Sequence, residues 1–182
     1  MNYANIKYRD IADGEGVRTT LFVSGCSHHC ENCFQPETWS FSYGKEFTTD
    51  IADEVLATLD DFFVDGLTFL GGEPMEPENQ HGLLELAKRA KALHPEKSIW
   101  CYTGDVYEDL VDAASPRHTE ETDELLGLID VLVDGPYIDS LHDITLRFRG
   151  SSNQRVIDMN ETRKTGEVVL WKDEEVYSTH SM

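Results

Sequence analysis

Three of the four cysteines in this 182-residue sequence lie within one short stretch, at Cys26, Cys30 and Cys33. Intervals of three and two residues let three thiolates converge on one metal centre. A disulfide would use only two of them and leave the third unpaired. Zinc and a cubic 4Fe–4S cluster each usually take four protein ligands, so a cluster held by three cysteines would keep one iron open for chemistry.

The residues alone leave three interpretations of this stretch open. The first is an iron–sulfur cluster whose open iron binds S-adenosylmethionine. The second is a structural zinc site in which His28 or His29 supplies the fourth ligand. The third is a loop of unligated thiols. The remaining cysteine, Cys101, lies inside a strand-like run, and we expect it to be buried and inert.

A second candidate site is the run Gly71-Gly72-Glu73-Pro74, which follows a short apolar stretch. Glycines at the end of a strand let a ligand approach the backbone closely. Backbone carbonyls and the Glu73 carboxylate could then accept hydrogen bonds from a ligand ammonium group. An ordinary turn at the end of a strand would use the same residue types, so the run alone does not decide between the two.

The elements that must position these residues alternate between strand and helix patterns. Residues 1–16 are polar and turn-rich and predict no regular element. Strands are predicted over 17–23, 67–70, 98–103, 131–133 and 145–149, and a hairpin over 156–157 and 168–171 around 160–166. Helices are predicted over 50–59, 83–93, 106–113 and 120–128. Both candidate sites therefore follow predicted strands, at the end where parallel sheets carry their active sites.

This alternation predicts a single α/β domain over residues 1–182, with a polar tail from about residue 173. The sheet is expected to be mostly parallel, with right-handed crossovers. The chain is too short for a complete eight-stranded barrel of about 250 residues. An open, partial β/α barrel is therefore the expected form.

The charge of the chain limits its partners. Its 35 acidic and 15 basic side chains give a formal net charge of −20, which argues against binding to nucleic acid. No apolar run approaches the length of a membrane span, and the first residues have no apolar signal core. Clustered thiols suit a reducing cytoplasm better than a secreted disulfide framework.

The cysteine stretch and the Gly-Gly-Glu-Pro run together resemble the radical S-adenosylmethionine superfamily. More narrowly, the chain resembles the family of activating proteins of anaerobic ribonucleoside-triphosphate reductase. That similarity covers residues 5 to 172 and rests on the cysteine stretch together with the segments 13–18, 130–136, 149–155 and 168–171. It implies the partial barrel fold characteristic of the superfamily.

The resemblance also implies a cofactor set and a partner. Cys26, Cys30 and Cys33 would hold a 4Fe–4S cluster with one iron not bound by the protein. S-adenosylmethionine would be bound by Asn32, Cys33, Phe34, Gly71, Gly72, Glu73 and Pro74. One electron, from a donor such as flavodoxin or ferredoxin, would cleave it to methionine and a 5′-deoxyadenosyl radical. That radical would take hydrogen from a glycine on the large subunit of the reductase.

One residue departs from the superfamily pattern. Many members have an aromatic residue just before the last cysteine, and here that residue is Asn32. Its backbone can still help to seat the adenine, and Phe34 could supply the aromatic contact. No catalytic residue beyond the cluster is implied, because the reaction requires no general base.

Several assignments stay open at this point. Arg147, Arg149 and Arg155 are candidates to bind a carboxylate in the site, and Asp134 could orient a ribose hydroxyl or simply form a turn. Among functions, the alternatives are an activase of another glycyl-radical enzyme or an enzyme of small-molecule radical chemistry. A zinc- or cluster-binding module for interaction or redox sensing is the alternative from a different class.

Overall fold

The computed structural model describes residues 1–172, so the polar tail from residue 173 lies outside the described part of the chain. Seven strands in that part form one open sheet. They are β1 (Asn2–Asp10), β2 (Arg18–Val23), β3 (Lys45–Glu46), β4 (Gly66–Gly71), β5 (Ser98–Tyr102), β6 (Val131–Asp134) and β7 (Arg155–Asp158). Their order across the sheet is β3-β1-β2-β4-β5-β6-β7.

Five α-helices accompany the sheet in the described residues. They are α1 (Thr49–Ala57), α2 (Pro77–Leu93), α3 (Tyr107–Val111), α4 (Thr122–Leu128) and α5 (Met159–Thr165). Local chemistry sets their ends: the Thr48 hydroxyl caps α1, proline opens α2, and Gly166 ends α5 in the left-handed conformation. None of the helices described is long and apolar enough to cross a lipid bilayer.

The sheet has a parallel centre and antiparallel margins. Strands β2, β4, β5 and β6 run parallel to one another. Strand β1 pairs antiparallel with β2 and β3, and β7 pairs antiparallel with β6. The predicted α/β class is confirmed, but the expectation of a mostly parallel sheet holds only for the four central strands.

The main hydrophobic core lies between the helices and one face of this sheet. It joins Val55 of α1 and Leu83 of α2 to strand residues such as Phe69 and Cys101. A smaller cluster around Trp100 lies apart from it. Alternate residues of a strand point to opposite faces, which places Trp100 and Tyr102 on the face away from the helices. Most buried apolar side chains therefore lie on the helix side of the sheet, while the opposite face can line a cavity.

Most predicted strands and helices are confirmed to within a few residues, although α2 begins at Pro77 and not at residue 83. Strand β1 is the main omission. Residues 2–10 form a long strand although the sequence predicts no regular element there. Two irregularities in its pairing with β2 break the two-residue alternation, and Arg9 adopts a φ of 56°. Because this strand is also largely exposed, its residues show no clear apolar face.

Two further predictions near the C-terminal end are corrected. Residues 145–149 form no strand, and Phe148 has a φ of 61° and packs edge-on against Trp100, with ring centroids 4.9 Å apart. The pairing of 156–157 with 168–171 is present as a bridge between Ile157 and Leu170. The segment that joins them, however, is helix α5 and not a hairpin loop.

Candidate functional site

The ends of the four parallel strands meet at one cavity of about 740 Å³. The cysteine loop follows β2, the Gly-Gly-Glu-Pro turn follows β4, and Gly104 and Gly135 follow β5 and β6. A shared strand direction brings the segments after these strands to the same edge of the sheet. The two motifs that the sequence singled out therefore lie on the same cavity, although about 40 residues separate them in the chain.

Cys26, Cys30 and Cys33 all line this cavity, and all three are free thiols. Burial raises the pKa of the Cys26 thiol to about 11. Cys101 is also free, but it is fully buried in β5 within the main core and is not among the lining residues. The structure thus separates the three loop cysteines from the fourth, as the spacing predicts.

The donor set of the loop fits an iron–sulfur cluster. Within residues 1–172, only His28, Glu73 and Asp105 bring three potential ligand atoms within 4.8 Å of one another. Three cysteine thiolates on one cavity are the ligand type that an iron–sulfur cluster takes.

Backbone hydrogen bonds fix the start of the cysteine loop. Gly25 N–H donates to the Thr38 carbonyl at 2.8 Å, and Cys26 N–H donates to the Trp39 carbonyl at 3.3 Å. His29 contacts the Trp39 ring, with centroids 4.6 Å apart. The short turn of 3₁₀ helix over Pro36–Trp39 therefore binds the start of the loop and holds it in place.

The Gly-Gly-Glu-Pro turn presents its backbone to the cavity. Gly71, Gly72 and Glu73 line it, whereas Pro74 is buried and is not among the lining residues. Gly71 has a φ of 114°, a conformation that residues with a side chain rarely adopt. The backbone of the two glycines and the Glu73 residue are thus the parts of the turn that a ligand in the cavity can meet.

The Glu73 carboxylate is occupied by the protein itself. It is 1 % exposed, and its two oxygens accept from Met75 N–H at 2.8 Å and from Gly104 N–H at 2.7 Å. His28 Nε2 lies 3.0 Å from one of these oxygens. Glu73 therefore ties the turn to β5 and to the cysteine loop, and any ligand ammonium would have to share it with these partners.

The carboxylate partners of His28 could not be predicted from the sequence. Its Nε2 lies 3.4 Å from Asp105 as well as close to Glu73. Hydrogen bonds to Asp105 and Glu73 raise the pKa of His28 to about 10. The imidazole is therefore held by two carboxylates through its Nε2. No pattern in the sequence pairs it with Asp105, since 77 positions separate them.

Asn32 and Phe34 stand at the mouth of the cavity. Both line it and both are exposed, Phe34 to 92 % of its surface. Asn32 has a φ of 58°, a conformation that asparagine tolerates better than most residues. The aromatic ring of Phe34 is therefore available to a ligand or partner at the entrance.

The polar residues near the other side of the cavity are mostly engaged with one another. Asp134 is fully buried and accepts from Arg155 Nε at 3.0 Å, and Arg155 also binds Glu108 through two hydrogen bonds. Arg149 lines the cavity and donates to the Gln154 carbonyl. The Arg147 guanidinium lies over the Phe148 ring, 4.5 Å from its centroid. Asp134 and Arg155 thus join β6, β7 and α3 together.

The comparisons with known proteins agree with this geometry. Residues 12–157 match the family model described as a 4Fe-4S single cluster domain. This chain belongs to that family. A protein from Vibrio cholerae named anaerobic ribonucleoside-triphosphate reductase-activating protein is 41 % identical over 156 residues, which cover 85 % of this chain and 96 % of that protein.

Relatives encoded by a second bacterium and by a bacteriophage carry the same name. The protein from Escherichia coli K12 is 39 % identical over 86 % of this chain and 97 % of its own length, and that from Enterobacteria phage T4 is 38 % identical over 86 % and 93 %. This chain therefore belongs to the family of anaerobic ribonucleoside-triphosphate reductase-activating proteins, as its sequence motifs indicated.

Proposed function

We propose that this protein activates an anaerobic ribonucleoside-triphosphate reductase by generating a glycyl radical on the large subunit of that enzyme. The observation that carries the proposal is the meeting of Cys26, Cys30 and Cys33 on one cavity, in a chain about 40 % identical to proteins named as activators of this reductase. The protein would act as one domain in the cytoplasm, where thiols stay reduced.

The three thiolates would bind three irons of a 4Fe–4S cluster and leave the fourth iron for S-adenosylmethionine. When bound, the reduced cluster would supply the electron that cleaves this cofactor to methionine and a 5′-deoxyadenosyl radical, which takes a hydrogen atom from the target glycine. A low-potential protein such as flavodoxin or ferredoxin would deliver that electron. The residues of this chain hold and orient the reactants and exclude water.

The residues proposed to seat S-adenosylmethionine have distinct parts in this scheme. The backbone of Gly71 and Gly72 would meet its methionyl end, with Glu73 held in place by its protein partners. Asn32, next to Cys33, and Phe34 would contact the adenine at the cavity mouth. Four parallel strands that deliver their ends to one cavity support the partial barrel of the radical S-adenosylmethionine type as part of this proposal.

The substrate would be a macromolecule that covers the open side of the cavity. A radical needs protection from water, and a docked subunit can provide it. The charge of −20 favours a partner with a complementary basic surface, and the association should weaken as salt rises.

The test is anaerobic incubation of the reconstituted protein with S-adenosylmethionine, reductant and the reductase large subunit, followed by electron paramagnetic resonance. The subunit is supplied either intact or without its C-terminal glycine region. A glycyl radical signal should appear only with the intact subunit. Cofactor turnover coupled to a free metabolite, with no radical on the reductase, would contradict the proposal.

A further inference from the structure

Arg117 reaches the cysteine loop from the segment between α3 and α4. Its guanidinium donates to the Ser27 hydroxyl at 2.8 Å, although 90 positions separate the two residues. It also forms an ion pair with Glu76 and another with Asp105, at 3.0 Å from its Nε. The Arg117 side chain is 14 % exposed, so one half-buried cation joins the segments that carry Ser27, Glu76 and Asp105.

Glu76 completes this contact from the other side of Ser27. Its carboxylate accepts the Ser27 backbone N–H at 2.6 Å while it pairs with Arg117. Glu76 thus binds the Ser27 N–H, and Arg117 binds the Ser27 hydroxyl. Because Ser27 follows Cys26 directly, this ion pair holds the chain next to the first cysteine. We call this group of Ser27, Glu76, Asp105 and Arg117 the loop clasp.

The carboxylates near the cysteine loop need the positive charge of Arg117. Glu73, Glu76 and Asp105 place three carboxylates within this region, and Glu73 and Glu76 are 1 % and 4 % exposed. The Arg117 guanidinium is permanently charged, and it is the cation that pairs with Glu76. Removal of Arg117 would leave Glu76 buried without a cation, a costly arrangement.

We propose that Arg117 is a positioning residue that holds the Cys26 end of the loop in its metal-binding conformation and so slows loss of the cluster, while its positive charge raises the reduction potential of the cluster. This inference rests on the proposed function, in which the three cysteines hold the cluster. Outer residues that orient metal ligands commonly change metal affinity by about 10- to 100-fold when they are replaced.

The backbone around Arg117 is fixed independently of its side chain. The Arg117 carbonyl accepts from Gln80 Nε2 at 2.8 Å, and the His118 ring contacts the Leu110 carbonyl at 2.8 Å. The variant Arg117→Gln should therefore retain the course of this segment. Arg117→Lys keeps the charge but lacks the planar fork that can reach Ser27, Glu76 and Asp105 together.

The test uses the reconstituted full chain and compares wild type, Arg117→Gln, Arg117→Lys and the control Arg89→Gln. Arg89 pairs with Asp53 on the exposed side of the helices and does not line the cavity. Arg117→Gln should lose iron to a chelator about tenfold faster than wild type and should have a lower midpoint potential. Arg117→Lys should lose iron faster but keep a potential near that of wild type, and the control should match wild type in both.

A cycle with Ser27→Ala shows whether Arg117 acts through the loop. Because Ser27→Ala already removes the hydroxyl that Arg117 binds, Arg117→Gln should accelerate iron loss less in that background than in wild type. Equal rates and potentials for Arg117→Gln and wild type would overturn the inference, whatever the effect on thermal stability.

Hydrogen exchange separates failure of this inference from failure of the proposed function. If the wild type takes up no cluster, the proposed function fails. Exchange in a peptide that covers residues 24–30 then tests the clasp in the metal-free chain, because the Ser27 amide is bound by Glu76. Faster exchange in Arg117→Gln supports the positioning role, and unchanged exchange refutes it.

Discussion

Gly72 lies so close to the Gly25 backbone that a Cβ atom on Gly72 would stand 2.5 Å from the Gly25 carbonyl oxygen. It would also lie 3.0 Å from the Thr38 carbonyl oxygen. Glu73 N–H donates to that same Gly25 carbonyl at 2.8 Å, and Gly25 immediately precedes Cys26. The turn after β4 and the cysteine loop are therefore in direct backbone contact, at a point where there is no room for a side chain.

We expect Gly72→Ala to disturb the cysteine loop as well as the Gly-Gly-Glu-Pro turn that lines the cavity. The added methyl group should displace the Gly25 backbone, lower the free energy of unfolding by about 2 kcal/mol and reduce iron bound after reconstitution. Denaturant unfolding and iron analysis measure the two effects. Gly127→Ala is the matched control, because a Cβ at this helical position meets nothing within 4 Å; it should stabilise the chain by about 0.5–1 kcal/mol. Wild-type iron content in Gly72→Ala would show that the contact does not constrain the loop.

Alanine at each cysteine should divide the four residues into two groups. Cys26→Ala, Cys30→Ala and Cys33→Ala should each lose most of the iron and all cleavage of S-adenosylmethionine, since each removes a proposed ligand. Cys101→Ala should keep both, with a loss of stability of about 1 kcal/mol from the small cavity it creates in the core. Iron content, absorption spectra and cofactor cleavage are the measurements. The assignment is wrong if Cys101→Ala loses the cluster while a loop variant retains it.

The Asp10 and Asp13 carboxyl groups should make stability depend on pH. Burial and a hydrogen bond to Asp10 raise the pKa of Asp13 from 3.8 to about 7, while Lys7 lies 2.6 Å from Asp10. The folded chain thus holds a proton on Asp13 that an unfolded chain releases near pH 3.8. Between these values only the folded state binds the proton, so the free energy of unfolding should fall as pH rises from about 4 to about 7.

Asp13→Asn provides the measurement of that dependence. Its amide can donate to Asp10 without titrating, so the difference in unfolding free energy between variant and wild type should grow in favour of the variant from pH 4 to pH 7. Denaturant unfolding at several pH values gives this difference directly. A difference that stays constant across the range would show that Asp13 has an ordinary pKa.

Arg155→Met should destabilise the chain through Asp134. Asp134 is fully buried and also accepts the Tyr107 N–H at 2.8 Å, so loss of Arg155 leaves a buried carboxylate without its cation. We expect a cost of about 3 kcal/mol in the free energy of unfolding. Lys164→Met, which breaks a solvent-exposed pair with Glu161 on α5, is the control and should change stability little. If the two variants unfold alike, the Asp134–Arg155 pair does not stabilise the fold.

The sequence by itself determined the residue types of the site and the order of most elements. The spacing of Cys26, Cys30 and Cys33 is a local property of the chain, and so is the placement of both motifs after apolar strand-like runs. The periodicity of apolar residues is likewise a local property of the chain. It therefore predicts the four central strands and the first four helices. Their parallel direction then brings the motifs together.

Only the tertiary structure decided the partners of the polar residues. Arg117 and Ser27, or His28 and Asp105, lie far apart in the chain and share no period, so no local pattern pairs them. The roles of Asp134 and Arg155 changed for the same reason, because burial beside each other makes them structural partners. Strand β1 was not predicted, and the strand predicted over 145–149 is wrong, since pairing with β2 and packing against Trp100 outweighed the local preferences of these residues. Local periodicity indicates most of the elements, whereas the energy of a charged contact depends on what surrounds it after folding.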